Sequence, residues 1–334
     1  MKSRYRTAVS KMTAVLLIHF LTVNILMAVL LAGCGSKEDA DAPEGGNTKT
    51  NTKESVIVKD PEWEPIEKKE DESSKAEDAG VTGTDEETEQ DGAAGEKEQT
   101  VQMASLFGNP DSMNNDVNGR ELPIYCVDTE ENKVALSFDA GWGNEDTPKL
   151  LEILKNHNLQ ATFFMTGEWV SNYPDDVKAI LDAGHDLGNH SENHKNMSQL
   201  SDEEKKDELM KVHERVKELT GYEMFLFRPP YGDYDNAVID VAKECKYYTI
   251  QWDVDSLDWQ NKGVESVIST VMEHKNLGNG SIILCHNGAE YTAQALDTLI
   301  TKLEGAGYEI VPISELIYKE NFHLNFAGRQ IPDE

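Results

Sequence analysis

The sequence predicts an α/β domain in its carboxyl-terminal two thirds, with a mostly parallel sheet buried by helices. Three observations predict it. Short apolar stretches alternate with amphipathic ones from about Leu122 onward. Several of the amphipathic stretches carry their own helix start or stop signals. An acid, a base or a potential metal ligand stands directly after five of the strand-like stretches. Alternation of this kind is the pattern of parallel sheets, whose strands open their carboxyl ends onto one shared face. Periodicity alone leaves an open sheet and a barrel equally available.

The elements follow in order. Residues 133–138 read as a strand, with Val134, Leu136 and Phe138 on one face. Thr147-Pro148 opens a helix, Thr as N-cap and Pro at the first helical position, with Leu150, Leu151 and Leu154 as its stripe. Residues 161–165 form a second strand. Residues 174–183 form a helix stopped by Gly184, and residues 186–189 a short strand. Ser201 and Glu204 make a capping box before a helix lined by Leu209, Val212, Val216 and Leu219. Strands at 225–227, 247–252, 281–285 and 308–311 then alternate with helices at 236–245, at 264–274 and around Leu296–Leu303.

The chain before this domain has different physics. Lys2, Arg4, Arg6 and Lys11 precede an apolar run over residues 12–32 that ends in Leu31-Ala32-Gly33-Cys34. Basic residues stay on the cytoplasmic side while such a run enters the bilayer. A permanent span is one outcome, although His19 and Asn24 are awkward in it. The ending resembles the bacterial lipobox, which implies cleavage before Cys34 and lipid on that cysteine. Both outcomes place the rest of the chain outside the cytoplasmic membrane. Residues 36–120 hold 23 acidic and 9 basic residues and no sustained periodicity. A segment so poor in apolar surface reads as a solvated, self-repelling linker. The short apolar islands at 56–58 and 103–107 carry no assignment. The expected organisation is a signal peptide over 1–33, an acidic linker over 34–120 beginning with lipidated Cys34, and the folded domain over 121–334.

The formal charge of −31 makes nucleic acid a poor partner, since phosphate binding needs clustered Lys and Arg. The four cysteines are too few for a disulfide scaffold and include no CxxC pair, which removes the zinc-ribbon class as well. With Cys34 lipidated, Cys126, Cys245 and Cys285 cannot all pair, and they read as small buried apolar residues.

The polar residues at strand ends point to chemistry. Asp139 follows the first strand, His190 the third, Arg228 the fourth, Asp253, Asp255 and Asp258 the fifth, and His286 the sixth. A lone Asp or His in a loop is most often a capping or solvated side chain. Five at matching topological positions are harder to explain that way. His190 and His194 stand at i, i+4, which would put both imidazoles on one face of a helical turn, close enough to share a metal.

Five stretches resemble the motifs of the polysaccharide deacetylases with a NodB-type domain (carbohydrate esterase family 4). They are Ser137-Phe138-Asp139-Ala140-Gly141, His190-Ser191-Glu192-Asn193-His194, Arg228-Pro229-Pro230-Tyr231-Gly232, Asp255-Ser256-Leu257-Asp258-Trp259 and Leu284-Cys285-His286. They occur in the family's order and cover residues 130–318. The resemblance implies a distorted (β/α) barrel of seven to eight strands. It implies that His190 and His194 bind a divalent metal, zinc being the first expectation, and that Asp139 is the general base held by Arg228. It implies that the Tyr231 N–H binds the oxyanion and that His286, paired with Asp258, is the general acid. Leu284 would line the acetyl pocket and Trp259 a wall of the groove. Asp255 matches the motif and also suits a turn cap.

The sequence departs from the family at Ala140, where a metal-binding Asp is usual. A water could fill that position, Glu145 or Asp146 could reach back, or the site could hold metal too weakly to act. The muramic-acid and sporulation-type deacetylases of Gram-positive bacteria resemble this chain in lacking that Asp. The expectation is a monomeric, lipid-anchored hydrolase on the outer face of a Gram-positive cell membrane. It would remove N-acetyl groups from cell-wall polysaccharide, GlcNAc or MurNAc of peptidoglycan. The alternatives are a catalytically silent glycan-binding lipoprotein and an O-acetyl esterase.

Overall fold

The computed structural model describes Pro110 and residues 115–333. The expected leader, the expected lipidation site Cys34 and the apolar islands at 56–58 and 103–107 lie outside the described residues, as does nearly all of the expected linker. Among the described residues no helix is long and apolar enough to cross a membrane. Packing begins slightly before the expected boundary at 121. Asn115 is buried, and Asp116 bridges to Glu121 around a tight turn.

Among the described residues eleven strands occur: β1 (Cys126–Val127), β2 (Lys133–Ala140), β3 (Thr162–Met165), β4 (Asp186–Asn189), β5 (Leu226–Phe227), β6 (Tyr248–Thr249), β7 (Val254–Asp255), β8 (Ile282–Asn287), β9 (Glu309–Val311), β10 (Phe322–Leu324) and β11 (Arg329–Pro332). Seven run in the order β6-β5-β4-β3-β2-β8-β7, and β9 pairs with β2 as the eighth. Every pairing in this sheet is parallel. The expectation of a distorted (β/α) barrel with seven to eight strands therefore holds. β2 is its centre. β8 takes one edge; β9 takes the lower part of the other, at Lys133–Ala135, and β3 the upper part, at Ser137–Ala140.

Period-2 alternation divides β2 between two cores. Val134, Leu136, Phe138 and Ala140 belong to the large apolar layer between sheet and helices. Ala135 belongs to the second cluster, with Phe164, Leu226, Ile250 and Leu284, which fills the barrel interior. Ser137 and Asp139 continue the interior face upward from Ala135.

The eight α-helices among the described residues are α1 (Thr147–Asn156), α2 (Gly167–Asn172), α3 (Pro174–Asp182), α4 (Asp202–Thr220), α5 (Asn236–Glu244), α6 (Val264–Met272), α7 (Thr292–Gly305) and α8 (Ile313–Leu316). The capping box at Ser201 and Glu204 forms as expected, and Gly221 at φ 75° closes α4. Thr147 is not the N-cap of α1. Asp146 holds that position, and Thr147 instead donates its hydroxyl to Asn287 Oδ1 at 3.0 Å. Helix α2, strands β1, β7, β10 and β11 and the short α8 had no sequence assignment. Each is six residues or fewer, too short to show a period.

β6 and β7, the two ends of the path, do not pair with each other. The segment around β1 occupies that seam. Ile124 bridges to Ile250, and Cys126 bridges to Ser281. β1 also joins β11 and β10 in a separate three-stranded sheet. Gly280 lets the seam close: its φ is +80°, and a Cβ there would collide with the Val127 carbonyl. Gly280→Ala should therefore lower unfolding free energy by at least about 2 kcal/mol, from left-handed strain plus a backbone clash. Denaturant melts of the two proteins check this; equal midpoints would contradict it.

Candidate active site

The carboxyl ends of the parallel strands bring together Asp139, His190, His194, Arg228, Asp258 and His286. Asp139 and His286 do not follow their strands, as expected from the sequence, but lie within them. They are register partners on β2 and β8. The ladder runs further because Ala140 and Asn287 are themselves buried and paired.

Arg228 is completely buried. Its Nη1 donates to Asp139 Oδ1 at 2.6 Å, and its Nη2 to Ser137 Oγ at 2.9 Å and the Gln251 carbonyl at 3.3 Å. The guanidinium lies 4.2 Å from the centroid of the Phe164 ring, with Trp252 also in range. Oδ2 of Asp139 has no hydrogen-bond partner although it is buried.

His190 and His194 do meet, with their Nε2 atoms 3.1 Å apart. The expected helical turn is absent. Residues 192–193 form a bend, and both Ser191 (φ 65°) and His194 (φ 51°) beside it are left-handed. Each such non-glycine conformation costs on the order of 1 kcal/mol or more, so the surroundings must hold it. Asn189 Oδ1 accepts from the Ser191 N–H at 2.9 Å, and Ser191 Oγ accepts from the His194 N–H at 3.0 Å. The Nδ1–H of His190 donates to the Arg228 carbonyl at 2.7 Å, which leaves its Nε2 with a lone pair. Burial pushes the His190 imidazole below its ordinary range. Burial, with charge on His190 and His286, pushes His194 down to about 2. Both rings are therefore neutral near pH 7.

His286 and Asp258 form a second buried pair. Asp258 Oδ1 accepts from His286 Nδ1 at 2.7 Å, and its Oδ2 accepts from the His286 N–H at 2.7 Å and from Thr292 Oγ1 at 2.6 Å. Burial alone would raise the Asp258 carboxyl. The charge and hydrogen bonds of His286, with that of Thr292, outweigh it and hold the group below the usual range. Asp255 caps a turn by accepting from the Leu257 N–H at 2.8 Å, and burial raises its carboxyl. Tyr231 stands edge-on to His194 with centroids 4.5 Å apart, and its own φ is 59°. The Trp259 indole N–H is buried without a partner. Leu284 has no exposed surface. It sits two residues below His286, in the interior cluster under the site.

Three contributors had not been singled out. Trp142 lies against His286, centroids 5.1 Å apart, and only its place in a glycine-rich turn after Asp139 could have drawn notice. Ser137 shares the Asp139 face of β2 at spacing two. Glu208 falls on the buried face of α4, between Lys205 and Val212.

Ala140 packs into the sheet–helix core and presents no ligand atom. Asp146 does not reach back to replace it. Both its oxygens accept from the Gly288 N–H, each at 2.9 Å. Among the described residues no group of three or more His, Cys, Asp or Glu could hold a metal. The fit is therefore to a cation with two protein nitrogens. Two neutral imidazoles meet Nε2 to Nε2. The orphaned Asp139 oxygen lies 3.6 Å from His190 Nε2. Cys126, Cys245 and Cys285 are all free thiols; Cys245, unlike the other two, is only half-buried.

Residues 127–250 match the polysaccharide deacetylase family. Among curated proteins, the uncharacterized protein YlxY of Bacillus subtilis is 39% identical over 58% of this chain and 60% of its own. The peptidoglycan-N-acetylglucosamine deacetylase PgdA of Listeria monocytogenes is 35% identical over 73% of this chain and 50% of its own. The peptidoglycan-N-acetylmuramic acid deacetylase PdaA of B. subtilis is 35% identical over 60% of this chain and 77% of its own. Among solved structures, BA3943, described as a CE4 family pseudoenzyme from Bacillus anthracis, is 35% identical with a TM-score of 0.56. That match covers 63% of this chain and 70% of that one. The chain belongs to the polysaccharide deacetylase family. It spans only 60% of YlxY and half of PgdA.

The neutral histidines make stability depend on pH. An unfolded histidine takes a proton near pH 6.5, whereas folded His194 stays neutral down to about 2. The unfolded chain therefore binds more protons below about pH 6.5, and stability falls as the pH drops through that window. Between pH 7 and pH 5, His194 alone should cost about 2 kcal/mol. Urea unfolding at the two pH values measures this, and His194→Gln should remove that share of the loss. An identical pH dependence in the variant would contradict it.

Proposed function

We propose that the domain hydrolyses N-acetyl groups on cell-wall polysaccharide, with peptidoglycan amino sugars as substrate. One observation carries it. Two proton carriers, each anchored by an opposite buried partner, stand as register partners on neighbouring strands at the open end of the barrel: Asp139 with Arg228, and His286 with Asp258. A site that only binds glycan has no need of a base facing an acid.

Each residue then has a defined task. Arg228 occupies Asp139 Oδ1, so Oδ2 is the oxygen that takes the proton of the attacking water. The water oxygen bonds to the acetyl carbonyl carbon, and the Tyr231 N–H stabilises the resulting oxyanion. As the carbon–nitrogen bond breaks, His286 protonates the departing amine through Nε2, and Asp258 stabilises the imidazolium at Nδ1. The products are acetate and a free amino sugar. Trp259 forms part of the groove, with Leu284 beneath the acetyl group. A divalent metal on His190 and His194, zinc by its preference for imidazole, would supply a lower pKa for water and polarisation of the carbonyl. The basic n-region, the apolar run and Cys34 support anchoring by lipid on the outer face of the cell membrane.

A second reading is a silent glycan-binding protein. Ala140 in the core and the likeness to the B. anthracis pseudoenzyme favour it. Acetate release from defined muropeptides, with metal content measured on the same sample, separates the two. Asp139→Asn and His286→Ala should each lower turnover by about 10²–10⁴. Glycan binding without acetate release at any zinc concentration would leave the silent protein as the answer.

A further inference from the structure

We propose that helix α4 is a clamp that positions the His190–His194 loop, with Glu208 and Arg215 as its two positioning residues. The inference rests on the metal-dependent reading above and goes beyond it, since neither residue belongs to any motif that suggested that reading.

Helix α4 holds four residues in and beside the strained bend: Asn189, Glu192, Asn193 and Lys195. Glu208 is a carboxylate buried to 4% exposure. Its Oε2 accepts from the Asn193 N–H and its Oε1 from the Asn193 amide, both at 2.8 Å. Oε1 also pairs with Lys195 Nζ at 2.8 Å. Arg215, two turns further along, makes a two-point pair with Glu192 at 2.7 and 2.8 Å, and its Nη1 also donates to the Gly167 carbonyl at 3.0 Å. Behind the loop, Asn189 Nδ2 donates to the Leu209 carbonyl of the same helix at 2.8 Å.

A carboxylate buried among apolar neighbours is costly unless its acceptors are used. Glu208 spends its acceptors on one loop residue and its near neighbour. That residue, Asn193, lies between two left-handed-region positions at 191 and 194, and the bonds to its N–H and amide fix the 192–193 peptide and the side chain directly before His194. Helix α4 therefore sets where His194 stands relative to His190 with no metal bound. A two-nitrogen site gains most from such preorganisation, because no third protein ligand orders the loop on binding.

The test uses the full chain and two readouts. Hydrogen exchange of the 191–194 amides is measured on metal-free protein, and zinc affinity by chelator competition. Glu208→Ala should speed exchange in the loop at least about 10-fold and weaken zinc about 10–100-fold, the range for groups that orient ligands. Glu208→Gln, which keeps one acceptor for the Asn193 N–H, should recover part of both. Arg215→Met removes the other arm and should act in the same direction if Glu208→Ala fails to fold. Unchanged loop exchange in the folded variants would overturn the clamp. So would faster exchange with zinc affinity within about two-fold of the parent. Should the unaltered protein take up no zinc, the metal-dependent reading fails, and loop exchange alone decides the clamp.

Discussion

The arrangement of this domain hangs on one buried cation. Arg228 has no exposed surface, and Asp139 is the carboxylate that pairs with it among the described residues. Taking a guanidinium out of water costs several kcal/mol, recovered only when geometry and hydrogen bonds are good. Both strands involved are committed by that requirement. Asp139 must face the barrel interior beside Arg228, so Ser137 and Ala135 face the same way and Leu136, Phe138 and Ala140 face the helices. The aromatic faces of Phe164 and Trp252 complete the enclosure. The ion pair thus fixes the face of β2 on which chemistry is possible.

The same constraint explains why Ala140 is tolerated by the fold. Its side chain belongs to the outer, apolar face of the strand and packs there. The functional groups that remain are held by neighbours rather than by one another. The Arg228 carbonyl fixes the His190 tautomer, Asp258 orients His286, and Asn189 and Ser191 tie down the bend before His194. Each tie is a backbone or buried side-chain contact that persists with no ligand present.

Much of the plan was legible in the sequence. The eight strands of the barrel include seven whose apolar stretches could be seen directly, because burial on both faces demands unbroken apolar runs. The site residues were visible because parallel strands end on one face. What could not be read was local geometry. His190 and His194 are four apart, as on a helix, yet they meet through two left-handed residues that no spacing rule signals. Thr147 beside Pro148 has the look of a cap, but the tertiary partner Asn287 claims its hydroxyl. Trp142 and Glu208 acquire meaning only when the residues they touch, His286 on β8 and Asn193 in the histidine loop, are known. The short elements failed to register for a simpler reason: two or four residues cannot display a period.

The central place of β2 has a consequence for how the domain is made. Ser137 hydrogen-bonds to Ile283, 146 residues along the chain, and β9 joins still later. The strand that organises the sheet is therefore among the first parts of the domain synthesised, while one of its edges waits for almost the last. Until β8 arrives, the apolar β2 stretch has an unpaired edge and Asp139 lacks its register partner His286. Such non-local completion makes folding slow and leaves an intermediate open to aggregation. For a chain made amino-terminus first, assembly of the strand-end face is effectively the final folding event, so partly emerged or carboxyl-terminally truncated chains would lack the completed site as well as being unstable.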